Sequence, residues 1–108
     1  MSYRVYVSSV DATCPDYQFV LDVVSQTDHQ MTNLEQCDVC FFTAGTYLSG
    51  HNARPMQAEI DEAIRLQKRI VVVKPYVTHS MPLYFRRLPG NICARHEVDS
   101  ILATLRAH

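Results

Sequence analysis

The run Met56-Gln57-Ala58-Glu59-Ile60-Asp61-Glu62-Ala63, followed by Arg69-Ile70-Val71-Val72-Val73, constrains this chain more than any other stretch. The first piece spaces its apolar residues along one face of a helix. The second is an unbroken β-branched run, as a strand covered on both faces requires. A helix feeding a buried strand is the crossover unit of a parallel sheet. The spacing predicts a helix over 55–68, with Met56, Ile60, Ala63, Ile64 and Leu66 facing inward, and places 70–73 as the central strand. Glu59 then falls in the opening turn, at the end of the sheet where open α/β folds hold ligands.

The rest of the chain alternates in the same way. Tyr3 to Ser8 reads as a first strand, and Ser8 to Pro15 as a polar loop leading into a mostly buried helix over 16–25. Residues 26–36 are polar, with Met31 and Leu34 three apart, and read as a connector ending in a short amphipathic turn or helix. A second strand spans 38–43 and is apolar without alternation. Residues 44–54 form a long loop with two glycines, a length commonly kept for function. Beyond Val73, Lys74-Pro75-Tyr76 breaks the chain into a loop through His79. A short helix within 81–88, a short strand at 91–93 and a terminal helix over 98–107 complete the pattern; Val98, Ile101, Leu102 and Leu105 face inward in that last helix. This is an α/β chain with a flavodoxin-like three-layer sandwich around a small parallel sheet of four to five strands. The fifth strand would fall near 26–30, where no apolar run exists, so it is either vestigial or missing. A truncated sheet has an open edge at which a second copy can associate.

At 108 residues the chain holds one domain, spanning 1–108, and one core. Its 47% hydrophobic and 19% charged residues are those of a globular protein, and a net charge of -1 supplies no basic field for nucleic acid. No apolar run is long enough for a membrane span, and the amino terminus enters a strand without a signal-peptide pattern, so a cytoplasmic location is expected. Cys14, Cys37, Cys40 and Cys93 read as reduced thiols. Cys37-Asp38-Val39-Cys40 has the spacing of a metal or redox pair, but no second pair completes a zinc set, and it opens a strand instead of a helix. His51 and His79 lack partner spacing. Neither metal nor cofactor is expected.

With the elements placed, the chain resembles the TIR-like domain of the bacterial Thoeris antiphage system, a relative of Toll/interleukin-1 receptor domains. The similarity is carried by Tyr6-Val7-Ser8-Ser9 with Pro15-Asp16-Tyr17, and by Gln36-Cys37-Asp38-Val39-Cys40-Phe41-Phe42. It continues in Glu59-Ile60-Asp61-Glu62-Ala63 and in Lys68-Arg69-Ile70-Val71-Val72-Val73-Lys74-Pro75, and Met81-Pro82 and Asp99-Ser100-Ile101 also fit. Pro55 stands where the family usually carries an aromatic, and Ser9 and Asp11 replace a histidine and an aromatic of its first loop.

The resemblance implies an enzyme that cleaves NAD⁺, as substrate and not cofactor, at the nicotinamide–ribose bond. Its nucleotide product would signal to a separate effector protein in antiviral defence. It assigns Glu59 as the catalytic carboxylate. The residues alone leave a second account of Glu59 open, that it merely favours the positive end of the helix dipole. Asp61 and Glu62 lie roughly 200° and 300° round the helix from it. Ser8 and Ser9, at the end of the first strand, are candidates to bind ribose or phosphate, or are simple turn formers. Gly45 and Thr46 offer backbone N–H groups to a phosphate, and Tyr47 offers a ring to a base. Two other functions compete. One is a nucleoside deoxyribosyltransferase or nucleotide N-glycosidase, in which a helix-start glutamate attacks the sugar. The other is a non-catalytic TIR-like interaction module, which Pro55 favours.

Overall fold

A computed structural model describes residues 3–48, 51–75, 83–88 and 92–106. Five parallel strands, β1 (Arg4–Val7), β2 (Gln30–Met31), β3 (Val39–Thr43), β4 (Arg69–Val73) and β5 (Ile92–Ala94), form one sheet in the order β2-β1-β3-β4-β5. That is the flavodoxin order, with its switch point between β1 and β3. The central strand is therefore β3. Ile70–Val73 had the longest β-branched run, yet Val39–Thr43 is the strand with every residue buried.

Five helices follow the strands: α1 (Pro15–Ser25), α2 (Ala44–Tyr47), α3 (Ala53–Arg65), α4 (Leu83–Arg86) and α5 (Val98–Arg106). Alternation along the strands divides the core between two faces. Val5, Val7, Val39, Phe41, Val71 and Val73 meet Val20, Val24, Ile101 and Leu105 of α1 and α5 on one face. Cys40, Phe42, Ile70 and Val72 meet Met56, Ile60 and Ala63 of α3, with Phe85 of α4, on the other.

Some expectations hold and others change. Of the two alternatives for the fifth strand the vestigial one is present: it is two residues long, pairing Arg4 with Gln30 and Val5 with Met31, and both its residues are exposed. The connector from β2 to β3 ends in a turn at 34–36, one of its two expected forms, and with no helix there the α3 face of β1 is thinly covered. The expected loop at 44–54 contains the one-turn α2 and the start of α3. Ile64 is exposed, because Met56, Ile60 and Ala63 at i, i+4 and i+7 already fill the inward stripe, and Val98 is exposed at the first position of α5. The expected loop at 76–79, with His79, and residues 81–82 lie outside the described residues.

Candidate active site

Helix α3 begins at Ala53, two residues before the expected start, which puts Glu59 seventh in the helix and not in its opening turn. The dipole effect fades within a first turn, so the helix end does not account for this carboxylate. Its position on the cylinder does. At 100° per residue, Glu59 lies about 40–60° from both Ala63 and Met56, within the stripe that faces the sheet.

What it meets there is the α3 face of β1. Tyr6 and Ser8 point to this face, while Val5 and Val7 point to the other. The Tyr6 hydroxyl donates to Glu59 Oε2 at 2.7 Å and the Ser8 hydroxyl donates to Oε1 at 2.5 Å. Each carboxylate oxygen is thus held by its own hydroxyl, at the length of charge-assisted bonds. Ser8 is 1% exposed, and Glu59 is half-buried. Burial of the phenol, then the hydrogen bond to Glu59 and its charge, push the Tyr6 pKa well above the ordinary tyrosine range. Ser9, through its N–H and hydroxyl, donates to the phenol oxygen and pulls the other way. Tyr6 consequently stays protonated and keeps donating to Glu59 at any physiological pH.

Tyr6 did not emerge from the sequence, where it read as one aromatic of an alternating strand. The signal was present in the period of two: Tyr6 and Ser8 share a face, and only one of them ends the strand.

Asn52, just before α3, ties the neighbouring loops together. Its amide nitrogen reaches Asp11 Oδ2 at 3.3 Å and the Thr46 carbonyl at 3.2 Å. Asp11, held mainly by the Thr13 hydroxyl and next by Asn52, has its pKa lowered. An open hollow of ≈ 400 Å³ lies beside Tyr6, lined also by Asn33, Leu34, Glu35, Glu62 and Arg65. It is within the size range of small-molecule sites. It adjoins Glu59 through the shared Tyr6, and Glu59 itself is not among its lining residues. Glu62 and Arg65 form an ion pair on its rim. A wider depression, ≈ 530 Å³, involves Tyr3, His29 and Arg106 at the opposite end of the sheet. Ligands of open α/β sheets sit beyond the carboxyl ends of the strands, where Ser8 leaves β1 and holds Glu59, so that clamp, and neither hollow, marks the candidate site.

The other expected binding residues are placed differently from Ser8 and Ser9. Gly45, second in α2, lies against Asp16 of α1: a Cβ at Gly45 would lie 1.6 Å from Asp16 Oδ2. Its backbone therefore faces a carboxylate, the wrong partner for a phosphate. Thr46 is fully buried and accepts a hydrogen bond from the Thr43 hydroxyl at 2.6 Å. The Tyr47 ring stacks on Tyr84 with centroids 5.7 Å apart, and its hydroxyl accepts from Gln57 at 2.8 Å. These three belong to the packing around α2 and are not brought together with Glu59. His51 is exposed. All four cysteines are free, and Cys93 alone among them is exposed. Among the described residues no helix is long and apolar enough to cross a membrane.

No protein-family model matches the chain, and no curated protein matches it. Among solved structures it is similar to the CMP N-glycosidase BcmB of Clostridium botulinum, with a TM-score of 0.63 at 12% identity, over 95% of this chain and 98% of that one. That likeness covers both chains almost end to end, and at this identity it establishes a shared α/β fold.

Proposed function

We propose that this chain cleaves the bond between a nucleobase and C1′ of a nucleotide's ribose, with Glu59 as the carboxylate acting at C1′. The observation that carries this reading is the clamp on Glu59. A carboxylate half-buried at the carboxyl end of β1, with one hydroxyl on each oxygen, is held in one orientation before substrate arrives. As the C1′–N bond lengthens, positive charge grows on the sugar, and a fixed negative charge stabilises it more than the ground state. Glu59 can do this by ion pairing alone. It can also do so by attacking C1′ to give a glycosyl ester that water then hydrolyses. Tyr6 and Ser8 position the carboxylate in either case.

The end-to-end fold likeness to a CMP N-glycosidase supports this class and favours CMP as the first substrate to test. NAD⁺ is the second, and one feature of the site speaks for it. Tyr6 is held protonated and is therefore a weak acid, whereas nicotinamide leaves a pyridinium without needing a proton.

The test is release of free base from CMP and from NAD⁺, followed chromatographically, for wild type and Glu59→Gln. The expected result is release by wild type from at least one of them, reduced roughly 10²–10³-fold in the variant, the usual cost of removing one preorganised electrostatic partner. Equal rates for the two proteins would remove Glu59 from the chemistry. No release by wild type at high protein concentration would favour the non-catalytic interaction module.

A further inference from the structure

We propose that Asn52 is a positioning residue for the Glu59 site, acting through Asp11 to fix the loop between β1 and α1 against helix α3. The catalytic part of this inference rests on the glycosidic activity proposed above. Asn52 stands directly before α3 and makes no side-chain cap to it, although asparagine is a favoured capping residue. Its amide nitrogen goes instead to Asp11 Oδ2 at 3.3 Å and to the Thr46 carbonyl at 3.2 Å. Both partners are acceptors, so they select the nitrogen of the amide, and not its oxygen, to face them.

This bond joins two segments that already meet once. Asn52 and Glu59 are seven positions apart, so they lie about 20° apart round α3 and roughly 10 Å apart along it. Ser8, whose hydroxyl donates to Glu59 Oε1 at 2.5 Å, precedes Asp11 by three positions. Three residues of chain reach at most about 10 Å. The two spans match. The chain leaving β1 therefore runs beside two turns of α3 with a tie at each end, Ser8 to Glu59 below and Asp11 to Asn52 at the mouth. Between the ties, Val10 packs on the α3-side cluster.

The loop is otherwise tied to itself and to α1. Asp11 Oδ1 accepts from the Thr13 N–H at 3.1 Å and from its hydroxyl at 2.6 Å. The Cys14 N–H donates to the Asp11 carbonyl at 3.1 Å, and the Gln18 side chain to the Ala12 carbonyl at 3.0 Å. None of these four bonds reaches α3. Without Asn52 the knotted loop turns as a unit about Ser8, the residue that holds one oxygen of Glu59. Asn52 acts on the carboxylate only by keeping that pivot still.

Two substitutions and two readouts test this. Asn52→Ala removes the tie, while Asn52→Asp keeps its shape and turns a second carboxylate towards Asp11. In Asn52→Ala, amide hydrogen exchange at residues 9–13 should quicken roughly tenfold or more, with exchange in β3 unchanged. Its kcat for base release from CMP or NAD⁺ should fall roughly ten- to hundredfold, as for a small misplacement. In Asn52→Asp the facing carboxylates repel when both are ionised and hold one proton between them at lower pH. The rate of this variant relative to wild type should therefore climb as pH falls from about 8 to about 5, and the titration of Glu59, common to both proteins, cancels in the ratio. Adding Asp11→Asn restores one amide and one carboxylate, and the ratio should become flat.

Unchanged exchange at 9–13 in Asn52→Ala, or a flat ratio for Asn52→Asp alone, overturns the proposal. Faster exchange with an unchanged kcat overturns the coupling to Glu59. If Asn52→Ala does not fold, the isosteric Asn52→Asp and its Asp11→Asn double variant decide. No base release by wild type counts against the glycosidic reading instead, and the exchange measurement then decides whether Asn52 holds the loop.

Discussion

Tyr6→Phe isolates the contact on which the site depends. The substitution keeps the ring in the α3-side cluster and deletes only the hydroxyl that donates to Glu59 Oε2 at 2.7 Å. A hydrogen bond to a charged group contributes about 1.5–3 kcal/mol, and partial exposure of this pair moves the expectation to about 1–2 kcal/mol. In urea denaturation at pH 7 the variant should lose that much stability, equivalent to roughly 5–10 °C in Tm for a domain of this size. The number alone does not identify the cause, because Ser9 also donates to the same oxygen. The second arm repeats the substitution in a Glu59→Met background, where Tyr6 has no acceptor at this position. There the cost of Tyr6→Phe should shrink below about 0.5 kcal/mol, a coupling of about 1 kcal/mol between the two side chains. An equal cost in both backgrounds would assign the hydroxyl's worth to Ser9 or to packing, and the clamp on Glu59 would have no energetic reality.

Two further measurements probe the surroundings. Gly45→Ala should cost about 1–3 kcal/mol, because the new methyl displaces the Asp16 carboxylate, which lies 3.4 Å from His96. In an Asp16→Ala background the same change should be neutral or mildly stabilising, and persistence of the full cost would refute the steric account. The pH dependence follows from Asp38 and Asp11, whose pKa values are lowered, the first chiefly by the Arg4 N–H and the second chiefly by the Thr13 hydroxyl. A lowered folded value means the unfolded chain binds more protons in this range. Their contribution is complete above the ordinary aspartate value of about 3.9 and fades as pH falls through the lowered ones. Asp38→Asn should flatten the acid limb of stability against pH between about 5 and 2, and an unchanged limb would contradict the assignment.

What the sequence made legible follows from where periodicity is strong. The strands at 39–43 and 69–73, and the stripe Met56, Ile60 and Ala63, were readable because each is an apolar pattern longer than its turn signals. Strand β2 was hidden because two exposed residues, Gln30 and Met31, carry no pattern at all; they are held by pairing with Arg4 and Val5. Ranking the strands by β-branched content misplaced the centre, since rank in the sheet depends on topology. At the site, Glu59 and Ser8 stood out as residue types, but the reason for Glu59's orientation was misread. Capping signals did not mark the helix start at Ala53, whose preceding Asn52 makes no side-chain cap and instead spans two loops. Tyr6 was invisible because its partner is 53 positions away. Gly45 looked like a phosphate cradle until the approach of Asp16, also distant in sequence, filled the space beside it.

The brevity of β2 bears on how this molecule meets other chains. An intruding strand aligned along that border finds backbone partners only at Gln30 and Met31 before the chain turns away. So short a rung set gives cross-β stacking almost nothing to propagate along, although β3 and β4 behind it are apolar and buried. The same economy that left the crossover without a helix therefore doubles as a guard against fibre growth.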